Sequence, residues 1–396
     1  MNILIVGTTD KRGGAAKISW DIKDALEKQG CAVSMFVADK LSNDSKVFKI
    51  PRQKWRKILG FLLSTNALLK TDWILKTREF READIIHCHN LHGRFFNLKT
   101  LQKMSALKPV IWTLHDEWAI TPHCALTFQG TEMKNGLFVC PNIKVPPRLL
   151  WDNTKYLSWR KNNIYKNSSM AIVTPSIWLK QRVEKTILKN QKIKIINNGI
   201  NTKIFQPKNK KISRQKLNLP QDKKIILFLA DNSKKSPWKG WCYTEKIIEK
   251  YKNRSDIIFL NVGNSEKPED YGNVKFIKQT NDPEVISLYY NSADIFILTS
   301  LAENFPLAVL EAMACGVPVV SFDVGGIKEV LEHKKNGYLA TYKDETSLLS
   351  GVKYILSLNK ATLEEMKDAS SAKIQENFNI EKMIREYVFL YKKLLK

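Results

Sequence analysis

The sequence predicts an α/β protein made of two doubly wound, Rossmann-like domains facing across a cleft, and three observations carry that prediction. Short β-branched runs alternate with helical patterns almost from end to end. The strand candidates are near-continuously apolar, as parallel strands covered on both faces are. The alternation halts at the polar stretch NNGINTKIFQPKNKK and then restarts, so the pattern occurs twice.

In the first half, NILIVGT, CAVSMFVAD, DIIHCHN, PVIWTLHD, MAIVTPS and KIKIINN read as strands. Between the first two, GGAAKISWDIKDALEKQG sets Ile18, Ile22, Ala25 and Leu26 at helical spacing and stops at Gly30, which completes a β-α-β unit. Gly13 and Gly14 follow the first strand without completing G-x-G-x-x-G; they let backbone approach a phosphate or acceptor closely, or they make a tight turn. From Thr121 to Tyr165 no strand is evident, and a loop that long inside an α/β domain is either functional or misread. After the linker, KKIILFLAD, DIIFLNVG, NVKFIKQ, DIFILTS and VPVVSFD supply the second set of strands. The expected divisions are an N-terminal Rossmann-like domain over 1–200, a C-terminal Rossmann-like domain over 201–378, and a terminal helix over 379–396 packing across their junction.

A chain of 396 residues is too long for one ordinary core. With 43% hydrophobic and 26% charged residues it reads as globular rather than disordered. No apolar run approaches the roughly 18 residues that span a bilayer, and MNILIVG is too short for a signal-peptide core, so export is not expected. The six cysteines form no C-x-x-C pair and suit buried thiols in a reducing cytosol. The net charge of +25 calls for an anionic partner, although an AT-rich coding sequence would raise lysine content without meaning.

The stretch SLAENFPLAVLEAMACGVPVVS is the most informative. ADIFILTS before it reads as a strand, LAENF as a loop, and PLAVLEAMACG as a helix with Pro306 near its first turn, Asn304 close enough to cap it and Gly316 at its end. The helix is apolar on every side except at Glu311, so it is buried, and a buried carboxylate needs hydrogen-bond donors. A phosphate at the helix amino end, a diol near Glu311 and a hydroxylated ring near Glu303 together describe a nucleotide diphosphate sugar. In the plainer alternative, Glu303 caps the helix and Glu311 pairs with a lysine from elsewhere.

ENFPLAVLEAMACGVPVV resembles the E-x7-E segment of retaining GT-B glycosyltransferases, family 4 in particular. GGAA, TLHDEW, IVTPS, INNGINTKIFQP, WKGW and GGIKEV stand where that family has similar patterns. The resemblance implies that Glu303 touches donor-sugar hydroxyls, that Glu311 holds the nucleotide ribose, and that backbone near Asn304, Phe305 and Leu307 meets sugar and phosphate. Pro306 has no N–H to offer. Lys239 matches the family's diphosphate lysine, while its arginine has no counterpart unless Lys234 or Lys235 substitutes as a point charge. His115 matches a histidine placed beside the donor sugar, with Asp116 and Trp118 in an acceptor wall and His87 and His89 as weaker companions. HDEWAITPHC is similar to a subgroup working on bacterial surface polysaccharides, in which further cysteines follow. Cys124, Cys140 and His123 match no standard zinc spacing, and no metal is expected.

The resemblance implies a metal-independent, retaining hexosyltransferase with no cofactor, using a UDP-sugar ahead of a GDP-sugar. Its acceptor is expected to be a lipid-linked glycan of O-antigen, capsule, lipopolysaccharide or exopolysaccharide synthesis. The expected location is cytoplasmic, with a peripheral position on the inner membrane face suggested by Lys46 to Arg81, which interleaves basic residues with Trp55, Phe61, Leu62, Leu63, Trp73, Ile74 and Leu75. A nucleotide-sugar epimerase of the same fold and a basic nucleic-acid-binding protein are the alternatives, although no nucleic-acid module is recognisable and nucleic acid is not the expected partner.

Overall fold

The computed structural model describes residues 1–51, 53–229, 236–265 and 269–396. The chain divides into two compact units, Met1–Asn197 with Met383–Lys396, and Asn198–Lys382.

In the first unit the strands are β1 (Asn2–Thr9), β2 (Ala32–Asp39), β3 (Val47–Lys49), β4 (Ile85–Cys88), β5 (Val110–Thr113), β6 (Met133–Lys134), β7 (Leu137–Phe138), β8 (Ala171–Thr174) and β9 (Lys192–Ile195). Its helices are α1 (Gly14–Lys28), α2 (Lys54–Leu62), α3 (Arg78–Glu82), α4 (Leu98–Leu107), α5 (Thr154–Lys166) and α6 (Ile177–Val183). Seven strands form one sheet in the order β3-β2-β1-β4-β5-β8-β9, with every pairing parallel. Leu4, Val6, Ile86, Trp112 and Ile172 lie buried in its core, which is why these strands read as unbroken apolar runs. The order reverses direction beside β1, so a crevice is expected at the carboxyl ends of β1 and β4.

The second unit repeats the plan with β10 (Lys224–Leu229), β11 (Ile257–Ser265), β12 (Glu269–Tyr271), β13 (Val274–Lys278), β14 (Ile295–Leu298), β15 (Val319–Phe322) and β16 (Gly337–Ala340). Its helices are α7 (Lys210–Lys216), α8 (Trp241–Tyr251), α9 (Pro283–Ser292), α10 (Leu307–Ala314), α11 (Ile327–Val330), α12 (Glu345–Ser357) and α13 (Lys360–Asn377). The sheet order is β12-β13-β11-β10-β14-β15-β16, parallel except for the antiparallel edge pair β12–β13. Here the direction reverses between β10 and β14. Both units are Rossmann-like, as the alternation predicts.

The chain ends in α14 (Ile380–Leu394), whose residues from Met383 onward belong to the first unit. Tyr387 and Tyr391, four apart and therefore on one helix face, are buried and carry their hydroxyls to Thr113 (3.0 Å) and His87 (2.8 Å) at the carboxyl ends of β5 and β4.

Two expectations need correction. The region from 121 to 165 is not a featureless loop: it holds the two-stranded hairpin β6–β7 and the helix α5. Periodicity missed α5 because its buried face carries Ser158, Arg160 and Lys161 beside Ile164 and Tyr165. The region is anchored by Glu117, fully buried, whose carboxylate accepts from Arg182 Nε at 2.5 Å and from the Thr127 amide and hydroxyl at 2.7 and 2.9 Å. The second correction concerns the segment read as interfacial. Ile74 is fully buried, and Trp73 and Leu75 pack against the core, so only the α2 end of the segment is left facing out.

Candidate functional site

In the second unit the candidate site is built where the sheet order reverses. Glu303 lies in the loop after β14, and Lys239 in the loop leading into α8. Lys239 Nζ donates to Glu303 Oε1 at 2.6 Å, with the carboxylate side chain only 11% exposed and the lysine 36%. Backbone contacts force the pair together. Gly240 has φ +57°, and a Cβ there would stand 2.1 Å from the Thr299 carbonyl oxygen. Gly325 has φ +62°, and its Cβ would stand 2.0 Å from the Glu303 carbonyl oxygen. Only glycine meets both demands, a left-handed φ and no side-chain volume. The Leu301 amide donates to the Trp238 carbonyl at 2.6 Å and the Gly326 amide to Asn304 O at 2.8 Å, so the Glu303 loop is bonded on both sides.

α10 follows directly. Its cap position is Pro306, which makes no side-chain cap hydrogen bond, so Asn304 is not the cap expected from its spacing. Proline has no side-chain acceptor to offer the first turn's N–H groups at the positive end of the helix dipole. Leu307 is the first helical residue, and Phe305 is buried against Phe378 with ring centroids 5.6 Å apart.

Glu311 is buried, at 8% exposure, on the otherwise apolar α10. The Tyr290 hydroxyl lies 3.3 Å from its Oε2 and 3.1 Å from the Ala308 carbonyl, and its single proton serves one or the other. Burial first, and then the Glu311 charge, push the Tyr290 phenol well up. Glu303 does not cap the helix as the plainer alternative has it, since it pairs with Lys239 and the cap position is Pro306. Lys234 and Lys235, the candidates for the missing arginine, lie outside the described residues.

In the first unit the carboxyl ends of β1, β4 and β5 gather the other candidates. Gly13 precedes α1 with φ +90°, and a Cβ added there would meet nothing within 4 Å, so the turn's backbone rather than any lack of space demands glycine; Gly14 is the first helical residue. His115 Nε2 lies 2.8 Å from His89 Nδ1, the two rings stacked with centroids 5.1 Å apart. His87, beneath His89, is held by Tyr391 and Thr113 at 2.8 Å each. Asp116 accepts from the Trp118 amide at 2.9 Å and faces His92 Nε2 at 2.8 Å. Burial pushes His87 down to about 3 and His115 down to about 4, the latter partly offset by Asp116, and drives His89 well below the usual imidazole range. All three are neutral at neutral pH, which suits hydrogen-bonding to a sugar rather than ion pairing. The sequence named His87, His89, His115 and Asp116, but not His92 or the two α14 tyrosines. Their one signal was the i, i+4 tyrosine pair.

Cys124 and Cys140 are in contact, the Cys124 amide donating to the Cys140 sulfur at 3.1 Å. Among the described residues no cluster of three His, Cys, Asp or Glu side chains could hold a metal ion.

Two parallel sheets, each with its candidate residues at the switch point, define a glycosyltransferase of the GT-B class, and known proteins match the chain accordingly. Residues 12–204 match the family model for Glycosyltransferase Family 4, and residues 209–373 the model for Glycosyl transferases group 1. Both models are of glycosyltransferases and between them they span most of the chain, which is therefore a glycosyltransferase rather than the epimerase or nucleic-acid-binding protein of the alternatives. It is 26% identical over the full length of both chains to WcaC of Escherichia coli, a glycosyl transferase named for colanic acid biosynthesis. It is 30% identical to a Campylobacter jejuni N,N'-diacetylbacillosaminyl-diphospho-undecaprenol α-1,3-N-acetylgalactosaminyltransferase, over 53% of this chain and 56% of that one. Sucrose-phosphate synthase of Thermosynechococcus elongatus superposes with a TM-score of 0.73 over 100% of this chain and 99% of that one, at 18% identity. Anabaena HepE in complex with UDP-glucose superposes with a TM-score of 0.69 over all of both chains, also at 18% identity. At such identities the superpositions show the fold.

Two outcomes follow from this geometry. Gly325→Ala is expected to destabilise the second unit by about 2–4 kcal/mol, since its Cβ collides with a carbonyl and its φ is strained, and urea denaturation would read the loss. The neutral histidines make the protein acid-sensitive. Their folded pKa values lie below that of an unfolded histidine, so their contribution is complete above about pH 6.5 and is lost as pH falls below it, at up to about 1.4 kcal/mol per pH unit for each. The melting temperature should fall between pH 7 and pH 5; a flat profile there would contradict the buried-histidine assignment.

Proposed function

We propose that this glycosyltransferase moves a hexosyl group from a UDP-sugar, with retention of anomeric configuration, to a lipid-linked glycan acceptor in bacterial surface-polysaccharide assembly. The observation that carries the reading is the Lys239–Glu303 pair, set beside the start of α10 with Pro306 at its cap position, and with buried Glu311 one turn further on. A diphosphate at the α10 amino end draws Lys239 Nζ from Glu303, which frees the carboxylate to accept from donor-sugar hydroxyls. Glu311 takes the ribose diol. The anomeric C–O bond to the diphosphate then breaks, and the acceptor hydroxyl oxygen bonds to that carbon on the same face. Its proton passes to the leaving phosphate oxygen, so no carboxylate base is needed. Lys239 and the helix amino end stabilise the charge that develops on the leaving group, and this reading routes no step through a metal. His115 and Asp116 are assigned to the sugar and the acceptor.

The name of the HepE complex supports UDP as the nucleotide, and those of WcaC and the Campylobacter enzyme support a surface polysaccharide and a diphospholipid acceptor. O-antigen, capsule and exopolysaccharide all fall within this reading. No helix among the described residues is long and apolar enough to cross a membrane. Peripheral attachment is assigned to α2. Its Trp55, Ile58, Leu59 and Leu62, at positions i, i+3, i+4 and i+7, are all exposed, with Trp55 at 84%, among Lys54, Arg56 and Lys57. An apolar stripe turned outward on a basic helix is the pattern of an interfacial anchor.

Lys239→Ala and Glu303→Ala should each lower the transfer rate about 100-fold or more. A steady-state assay of UDP release that finds either within a few-fold of wild type would remove the site assignment. The protein should float with vesicles containing anionic lipid at low salt, and Trp55→Ser with Leu59→Ser should abolish that flotation; wild-type protein that stays at the bottom of the gradient would sink the membrane assignment.

A further inference from the structure

A cavity opens beside α2 in the first unit, reaching Trp118, whose amide donates to Asp116. Arg94, Arg148, Arg160, Lys161, His123 and Trp118 line it, and no carboxylate does. Arg160 and Lys161 are buried, at 6% and 3% exposure, and neither has an ion-pair partner among the described residues. Arg160 spends one N–H on Asn97 Oδ1 at 2.5 Å, and Lys161 Nζ is held by the carbonyls of Trp118 and Thr121. Neutral acceptors offset buried charge poorly, and although Cys140, Cys124 and Asp116 lie near enough to favour the Lys161 charge, no carboxylate among the described residues is bonded to either cation. Burial accordingly draws Lys161 down to about 7.

His123 adds a second, independent sign. It is 3% exposed, its Nδ1 lies 3.0 Å from the Pro147 carbonyl, and its Nε2 is buried without a partner. With Nδ1 donating to that carbonyl, Nε2 is an acceptor that a ligand group in the cavity would satisfy.

The cavity is joined to the apolar stripe. Arg94 stacks on Phe61 of α2 at 4.1 Å and donates to the Arg148 carbonyl at 2.7 Å. Ser64, also in the lining, accepts from the amides of Leu150 and Trp151, both exposed, and Trp151 Nε1 donates to Leu62 O at 2.8 Å. An anion in the cavity would thus sit at the edge of an exposed surface built from Trp55, Leu59, Leu62, Leu150 and Trp151.

We propose that this cavity holds the diphosphate headgroup of a polyprenyl-type lipid acceptor, with Arg94, Arg148, Arg160 and Lys161 on the phosphates and the first isoprene units against the α2 stripe. The assignment rests on the lipid-linked acceptor of the preceding reading and gives it a place in the fold. It makes the acceptor's phosphates a recognition element separate from the sugar that receives the transferred group.

Flotation separates the possibilities, using neutral phosphatidylcholine vesicles doped either with a polyprenyl diphosphate or with the uncharged polyprenol, and soluble pyrophosphate as competitor. Wild-type protein should bind the diphosphate vesicles at least about tenfold more tightly than the polyprenol vesicles, the worth of the charge-assisted hydrogen bonds. Arg148→Glu, at an exposed position, and Arg160→Gln should each erase most of that preference, with thermal unfolding checking that each variant folds; if Arg160→Gln does not fold, Arg148→Glu decides alone. Equal preference in wild type and Arg148→Glu would overturn the cavity assignment while leaving the lipid acceptor standing. If the acceptor reading is what fails, wild-type protein ignores both vesicles and still transfers to a soluble saccharide. Binding of pyrophosphate without any binding of diphosphate vesicles would likewise overturn the lipid headgroup as the occupant.

Discussion

The candidate donor site depends on two places where backbone presses against backbone with no room for a side chain. The Thr299 and Glu303 carbonyl oxygens stand where Cβ atoms of Gly240 and Gly325 would be. Those contacts bring the loop before α8, the loop after β14 and the loop after β15 into one layer at the end of the parallel sheet. Close approach of that kind is what delivers a lysine and a glutamate, 64 positions apart in sequence, to 2.6 Å. It also keeps Glu303 mostly covered, so its bond to Lys239 is less screened by water than a surface pair would be.

The two units use the same parallel-sheet plan for different chemistry. In the second, the strand ends carry charge: a lysine, two carboxylates and a helix start capped by proline. In the first they carry neutral imidazoles and tyrosine hydroxyls linked in a row, which burial keeps uncharged. A charged pocket suits a diphosphate leaving group, and a neutral hydrogen-bonding one suits sugar hydroxyls. The division follows from the side chains each sheet presents at its switch point, since the sheets themselves are near-copies in strand order. Beside α2 lies a third kind of pocket, the arginine- and lysine-lined cavity, whose charged lining residues are all cations.

By itself the sequence determined the architecture. Apolar runs of β-branched residues, repeated on either side of a polar linker, allow little but two parallel sheets, because each strand must be covered on both faces. It also singled out Glu311, since a carboxylate on an all-apolar helix is costly wherever that helix packs, and Glu303 in the loop before it, whereas Lys239 came only from the resemblance to the glycosyltransferase family. Periodicity failed where burial is polar: α5 turns Arg160 and Lys161 inward, and Trp73, Ile74 and Leu75 look interfacial in sequence yet fill the core. Which of two apolar groups faces water, which residue caps α10, and which buried cation finds no anion are decided only when distant segments meet. Such contacts depend on three-dimensional neighbours, and local spacing carries no record of them.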